Sequence, residues 1–195
     1  MKKIELLPIK LLAKVFEDYG DKLKRGFRND TVSAVVVHFF SQERVNAFPS
    51  LKDSPRKGLM IYGPKGIGKT LNFLVLKTIQ NKYIGISMKI VSAKQLESNY
   101  KVYGEAYIQE LVNYDELMID DIGTESRLFK DYGTDRNLVY DILMMRYARF
   151  QRNECITHAT TNLTPALLIE QYDTRLIDRM KEMFILKKIV GESKR

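Results

Sequence analysis

A glycine-rich segment in the first half of the chain matches a phosphate-binding pattern at every position. It fits G-x-x-x-x-G-K-[ST] with the residues Gly63, Pro64, Lys65, Gly66, Ile67, Gly68, Lys69 and Thr70. The apolar residues 58–62 before it predict a buried strand, and residues 69–82 predict a helix that begins at the lysine of the pattern. This strand–loop–helix context constrains the chain to an α/β fold.

Each part of the segment has a physical task in phosphate binding. Glycines allow backbone conformations that a Cβ would obstruct, so successive N–H groups can surround phosphate oxygens at the positive end of the following helix. The Lys69 ammonium would approach the β- and γ-phosphates, and the Thr70 hydroxyl would ligate Mg²⁺. We therefore predict ATP and Mg²⁺ as cofactors, with Leu71 completing the binding segment. The alternative is a glycine turn before an amphipathic helix.

Composition supports a soluble globular chain of 195 residues, 45% of them hydrophobic. A single cysteine, Cys155, excludes an internal disulfide and a cysteine cluster for zinc. Since no apolar stretch is long enough to span a bilayer, we predict a cytoplasmic protein without membrane contact. The net charge of +8 is uneven: residues 1–57 hold 12 Lys and Arg against 7 Asp and Glu. This imbalance favours a polyanionic partner. Alternatively, it reflects only a solvated surface that is basic.

Strands alternate with helices after residue 57, which predicts a parallel sheet covered on both faces. Strands are expected at 58–62, 88–91, 116–120, 155–160 and 184–190, and helices at 69–82, from about 93, at 135–151, after Thr164 and at 174–181. Helical periodicity at 4–18, with Pro8 near its start, and at 31–40 predicts two earlier helices. A polar, proline-marked linker is expected at 49–57. We predict a short helical extension, residues 1–52, and a nucleotide-binding domain, residues 53–195.

Polar residues follow two of the later strands. Asp120 and Asp121 end an apolar run, where Asp120 would hold Mg²⁺ and Asp121 would polarise the attacking water. Asn162, at the end of Thr160-Thr161-Asn162, would orient that water as a sensor or, alternatively, only form a turn.

A later helix carries two arginines four residues apart. Arg175 and Arg179 lie on one helix face and could stabilise a transferring phosphoryl group. They could equally form an exposed helix surface in which Asp178 pairs with Arg175.

The segments LMIDDIG, HATTN and YDTRLIDRM, in this order after GPKGIGKT, resemble the AAA+ ATPases of the DnaC/DnaI helicase loaders and their IstB-type transposition-helper relatives. The resemblance implies an AAA+/RecA-like P-loop NTPase fold, a Walker B pair at Asp120 and Asp121, sensor 1 at Asn162 and an arginine finger at Arg179 beside Arg175. It also implies that the protein forms nucleotide-dependent homo-oligomers. The implied partners are single-stranded DNA and a replicative helicase or transposase.

Two departures from the family pattern have consequences. Asp121 stands where many AAA+ ATPases have glutamate, so we expect slow hydrolysis. The chain also ends at its last strand, and we expect no C-terminal lid domain.

Three functions follow from these residues. The first is a DNA-associated ATPase, whose phosphate contacts would be the lysines of residues 1–57 with Lys94, Lys101 and Arg127. The others are a P-loop kinase for a small molecule and an adaptor that binds ATP without hydrolysing it.

Overall fold

The computed structural model describes residues 6, 8–22, 31–85, 88–126, 128–131 and 133–191. The chain divides into two compact units. The N-terminal unit comprises Met1–Pro55, Pro64–Ser87 and Ile189–Arg195, and the sheet unit comprises Arg56–Gly63 and Met88–Lys188.

The helices are α1 (Ile9–Lys22), α2 (Thr31–Phe40), α3 (Arg44–Ala47), α4 (Lys69–Tyr83), α5 (Ala93–Tyr103), α6 (Glu105–Asn113), α7 (Leu138–Gln151), α8 (Pro165–Gln171) and α9 (Thr174–Met183). The strands are β1 (Gly58–Tyr62), β2 (Lys89–Ser92), β3 (Glu116–Ile122), β4 (Phe129–Asp131), β5 (Thr134–Arg136), β6 (Ile156–Thr161) and β7 (Phe184–Lys188). No helix among the described residues is both long and apolar enough to cross a membrane.

Five described strands of the sheet unit form one parallel sheet in the order β2-β3-β6-β1-β7. Side chains of these strands and of α5–α9 share one apolar core. The predicted α/β fold, a parallel sheet flanked by helices, is confirmed. Strand β6 is buried at every position, as expected for an inner strand of a covered parallel sheet. Gly58 admits no side chain, because a Cβ there would lie 1.5 Å from the carbonyl oxygen of Thr157.

His158 joins three strands of this sheet. Its buried ring accepts a hydrogen bond from the Leu59 N–H at Nδ1 (2.9 Å), so Nε2 carries the proton and lies 3.0 Å from Glu116 Oε1. The imidazole is therefore a structural link between β1, β6 and β3.

The segment before α7 differs from its prediction. Residues 135–151 were expected to be helical throughout, yet the helix begins at Leu138, where the Asn137 side chain caps it by accepting from the Tyr140 N–H. Strand β5 instead pairs antiparallel with β4, and Gly133 adopts a left-handed φ of 86° in their turn. Three-residue strands are too short to show a period of two. The helix expected from about residue 93 is likewise divided, at Gly104, into α5 and α6.

The N-terminal unit packs α1 and α2 around α4. Helix α1 begins just after Pro8, whose carbonyl accepts from the Leu11 and Leu12 N–H groups; the predicted positions 4, 5 and 7 lie outside the described residues. Part of the expected linker belongs to this packing, since Leu51 is buried in a short 3₁₀ helix. The division of the chain at residue 52 stays a prediction.

Candidate nucleotide-binding site

The phosphate loop enters α4 through two left-handed glycines. Gly66 has a φ of 83°, and Gly68, the N-cap of α4, has a φ of 92°. Side chains strain such a backbone, which explains why the loop needs glycine there. Ile67 is buried and anchors the loop, while the Lys69 ammonium donates to the Pro64 carbonyl over 2.8 Å. The loop therefore has the backbone form that its sequence pattern predicts.

The carboxyl ends of β1, β6 and β3 meet at one edge of the sheet, because these neighbouring strands run parallel. The N–H of Gly63, the first residue of the loop pattern, donates to the Thr161 carbonyl over 3.3 Å. Asp120 and Asp121 lie in the last part of β3, just before its final residue Ile122, and Asn162 follows β6 directly. The sheet unit thus brings the predicted acids, the predicted sensor and the start of the loop to one edge.

The two acids lie at an irregularity of the sheet. The pairing of β3 with β6 shifts register between Ile119 and Ile122, and Asp121 adopts a left-handed φ of 55°. A bulge turns side chains away from their regular alternation and is common beside active sites. Both carboxylates are half-buried at this edge.

Thr160 holds both acids at once. Its hydroxyl donates to Asp120 Oδ1 (2.6 Å) and accepts from the Asp121 N–H (2.9 Å). Within Thr160-Thr161-Asn162 only Asn162 was predicted to be a site residue, and the role of Thr160 was not predicted. A hydroxyl residue at the end of a strand beside the acidic strand is the signal that could have found it.

Asn162 and Asp121 are in direct contact. The Asn162 amide donates to Asp121 Oδ1 over 3.0 Å. Such a contact orients the carboxylate, as a water-positioning role for Asp121 requires. The sensor role of Asn162 stays a prediction.

The loop after Asp121 is fixed by a second polar group that the sequence analysis missed. One oxygen of the Glu125 carboxylate accepts from the Gly123 N–H (2.7 Å), and the other accepts from the Tyr172 hydroxyl. Burial and the Glu125 charge raise the pKa of Tyr172, so its hydroxyl stays protonated and donates. Gly123, at a φ of 90°, has Leu163 where a Cβ would be.

The arginines Arg175 and Arg179 both lie on α9, whose N-terminus is capped by the Asp173 side chain. Arg179 is half-buried with its guanidinium 5.0 Å from the Tyr147 ring centroid, and it donates to the Arg175 carbonyl. Arg175 is exposed, and Asp178 pairs with Lys181 at 2.9 Å. The structure therefore holds Arg179 by a cation–π contact and gives Asp178 a partner other than Arg175.

The acids suit a magnesium ion better than a metal held wholly by protein. The described residues contain no group of three or more His, Cys, Asp or Glu side chains that could hold a metal. Mg²⁺ usually takes one or two carboxylates and fills its remaining positions with water and phosphate oxygens. Asp120, oriented by Thr160, fits this chemistry.

Fold and site together define a P-loop NTPase. Residues 59–188 match the model of the ATPase family associated with various cellular activities (AAA), and the chain belongs to this family. The AAA+ family predicted from the motifs is thereby confirmed.

Solved structures give the same fold. DnaI is 22% identical, with a TM-score of 0.62 and 86% of each chain covered. The DnaC helicase loader is 21% identical, with a TM-score of 0.61, 85% of this chain and 92% of that chain. AMPPCP-bound DnaA from Aquifex aeolicus is 19% identical, with a TM-score of 0.53, 76% of this chain and 47% of that chain. No curated protein matches the chain significantly.

Proposed function

We propose that this AAA-family protein binds ATP with Mg²⁺, hydrolyses it and acts on DNA as a helicase loader of the DnaC/DnaI type. The observation that carries the proposal is that Asp120, Asp121 and Asn162 lie at the same sheet edge as Gly63, whose N–H donates to the Thr161 carbonyl. The likeness in fold to the DnaC helicase loader, over 85% of this chain, supports the loader assignment.

The proposed roles follow the chemistry of each group. Lys69 and the loop amides bind the β- and γ-phosphates, with residues 63–71 as the binding segment. Thr70 and Asp120 hold Mg²⁺, which would neutralise charge on the phosphates when bound. Asp121, oriented by Asn162, positions the attacking water.

Assembly and partners belong to the same proposal. Arg179, with Arg175 beside it, completes the site of a neighbouring copy, so that nucleotide promotes a homo-oligomer. The oligomer binds single-stranded DNA and passes a replicative helicase onto it. An IstB-type role, with a transposase as partner, is the alternative outcome of a partner assay.

ATP turnover tests the catalytic part. We expect slow, Mg²⁺-dependent release of inorganic phosphate without any acceptor molecule, whereas a small-molecule kinase would need one. Lys69→Ala should abolish ATP binding, and Lys82→Ala, which replaces an exposed lysine on the same helix, should not.

Asp121→Glu should accelerate single-turnover hydrolysis, because its longer carboxylate reaches farther toward the water. Saturable ATP binding that is unaffected by Lys69→Ala would refute the proposal.

Salt dependence tests the DNA part. Lys10 and Lys14 are exposed on α1, and Lys94 and Lys101 are exposed on α5. The Lys101 ammonium pairs with Glu97 at 2.6 Å. Arg127 lies outside the described residues. Each phosphate contact should contribute about −0.7 to the slope of log K against log salt for a single strand. Replacing Lys10 and Lys14 by Gln should flatten this slope in a fluorescence anisotropy titration. Binding that ignores salt would contradict a phosphate interface.

A further inference from the structure

A buried polar relay connects α2 to the phosphate loop within the N-terminal unit. The Ser33 hydroxyl donates to Asn72 Oδ1 (2.7 Å), and Asn72 Nδ2 donates to the Gly68 carbonyl (2.9 Å). Ser33 is 5% exposed and Asn72 is fully buried. Buried polar groups are costly unless they are hydrogen-bonded, so each member of the relay depends on the others.

The relay ends on the peptide group between Gly68 and Lys69, which belongs to the proposed phosphate-binding loop. The Gly68 carbonyl also accepts from the Asn72 backbone N–H (3.1 Å), so one residue holds it with two hydrogen bonds. The peptide bond is planar and trans, and the Lys69 N–H therefore points opposite to the Gly68 C=O. Fixing the carbonyl fixes the direction of that amide, which is among the donors that a phosphate loop presents.

Aromatic packing holds the relay in place. Phe40 of α2 and Phe73 of α4 form an edge-to-face pair with ring centroids 6.4 Å apart. Val32 and Val36, on either side of Ser33 in α2, are also buried. Helix α2 therefore meets the first turns of α4 through an apolar contact that keeps Ser33 against Asn72.

We infer that Ser33 and Asn72 are positioning residues for the phosphate loop, through which helix α2 and bound nucleotide stabilise each other. The inference rests on the proposed function, since it assigns a partner element to the same nucleotide site. Coupling between two sites is reciprocal. A partner that displaces α2 would therefore weaken ATP binding, and ATP would strengthen the packing of α2.

Titration with a fluorescent ATP analogue tests the positioning role. Ser33→Ala and Asn72→Leu should each raise the Kd of ATP about five- to tenfold, in the lower range of typical couplings. Ser33→Thr keeps the hydroxyl and should restore binding close to wild type. Thr78→Ala is the matched control, because it removes an exposed α4 hydroxyl that donates to the Leu74 carbonyl of the same helix.

Hydrogen exchange of residues 31–40 provides the reciprocal measurement. An ATP analogue should slow exchange there in wild type and in Thr78→Ala, but not in Ser33→Ala. If Asn72→Leu does not fold, the Ser33 variants decide. If wild type binds the ATP analogue saturably and Ser33→Ala has the same Kd as Thr78→Ala, this inference is overturned while the proposed function stands. A wild-type protein that does not bind ATP overturns the proposed function as well.

Discussion

The Thr160 hydroxyl is bonded on both sides by the acidic pair. The hydroxyl donates a hydrogen bond to Asp120 and accepts one from the Asp121 N–H. The same hydroxyl therefore positions both the carboxylate proposed to hold Mg²⁺ and the backbone of the proposed base. Thr160 is fully buried, and water cannot replace either bond without entering the sheet. The orientation of Asp120 therefore depends on the buried hydroxyl of Thr160.

Thr160→Val should weaken Mg²⁺ binding while leaving the shape of the side chain nearly unchanged. Removing a residue that orients a metal ligand typically costs about 10–100-fold in metal affinity or activity, and we expect a loss near the lower figure. The measurement is the Mg²⁺ concentration for half-maximal ATP hydrolysis. Thr161→Val is the control, since its buried hydroxyl bonds the Ile122 carbonyl instead of a carboxylate. An equal Mg²⁺ requirement in both variants would contradict the role of Thr160.

Arg146 of α7 joins secondary-structure elements inside the sheet unit. Its fully buried guanidinium donates to the carbonyls of Leu111, Val112 and Tyr114 at the end of α6. It also bonds the start of β6, through the Thr157 hydroxyl and the Ile156 carbonyl. Burial lowers the pKa of Arg146 to about 10, which still leaves it charged at neutral pH. A cation at the C-terminal end of α6 also complements the helix dipole.

Arg146→Met should destabilise the protein by about 3 kcal/mol, because several buried carbonyl groups would lose their donor together. Arg146→Lys should recover only part of this loss, since an ammonium cannot reproduce the planar fork. Urea unfolding followed by circular dichroism measures both changes. Arg152→Met, which removes an exposed arginine paired with Glu154, should leave the unfolding midpoint nearly unchanged. Equal midpoints for the Arg146 and Arg152 variants would show that the buried bonds contribute nothing.

At the scale of the whole molecule, sequence reasoning succeeded where a local pattern has one physical meaning. The apolar run of β1 matched its prediction at both ends, and the helix expected after Thr164 begins at Pro165, where the Thr164 side chain accepts from the Leu167 N–H. The position of the glycine-rich loop between β1 and α4, and that of Asp120 and Asp121 near the end of β3, were predictable for the same reason, because the motif requires these residues in this order. Their roles in nucleotide binding stay predictions.

The features that were not predicted depend on contacts between residues that are distant in the sequence. Ser33 and Asn72 are 39 positions apart, and only the packing of α2 on α4 brings them together. The burial of Arg146 has a signal in the sequence, because Arg146 continues the helical spacing of Val139, Ile142 and Leu143 along the apolar face of α7. A lone arginine on such a face indicates a buried cation, but not which carbonyls it serves.

Assembly of several copies is proposed to depend on Arg179. If Arg179 completes a neighbour's site, then wild type should form a larger species with a non-hydrolysable ATP analogue and single-stranded DNA, whereas Arg179→Ala should remain monomeric. Multi-angle light scattering after gel filtration measures the mass of each species. Lys181→Ala removes the same charge from the same helix, where Lys181 pairs with Asp178, and should assemble normally. Since Arg179 is held over Tyr147, Tyr147→Leu should loosen the arginine and weaken assembly in part. A wild-type protein that stays monomeric under every condition would contradict a finger acting between copies, because no neighbouring site would then exist for Arg179 to complete.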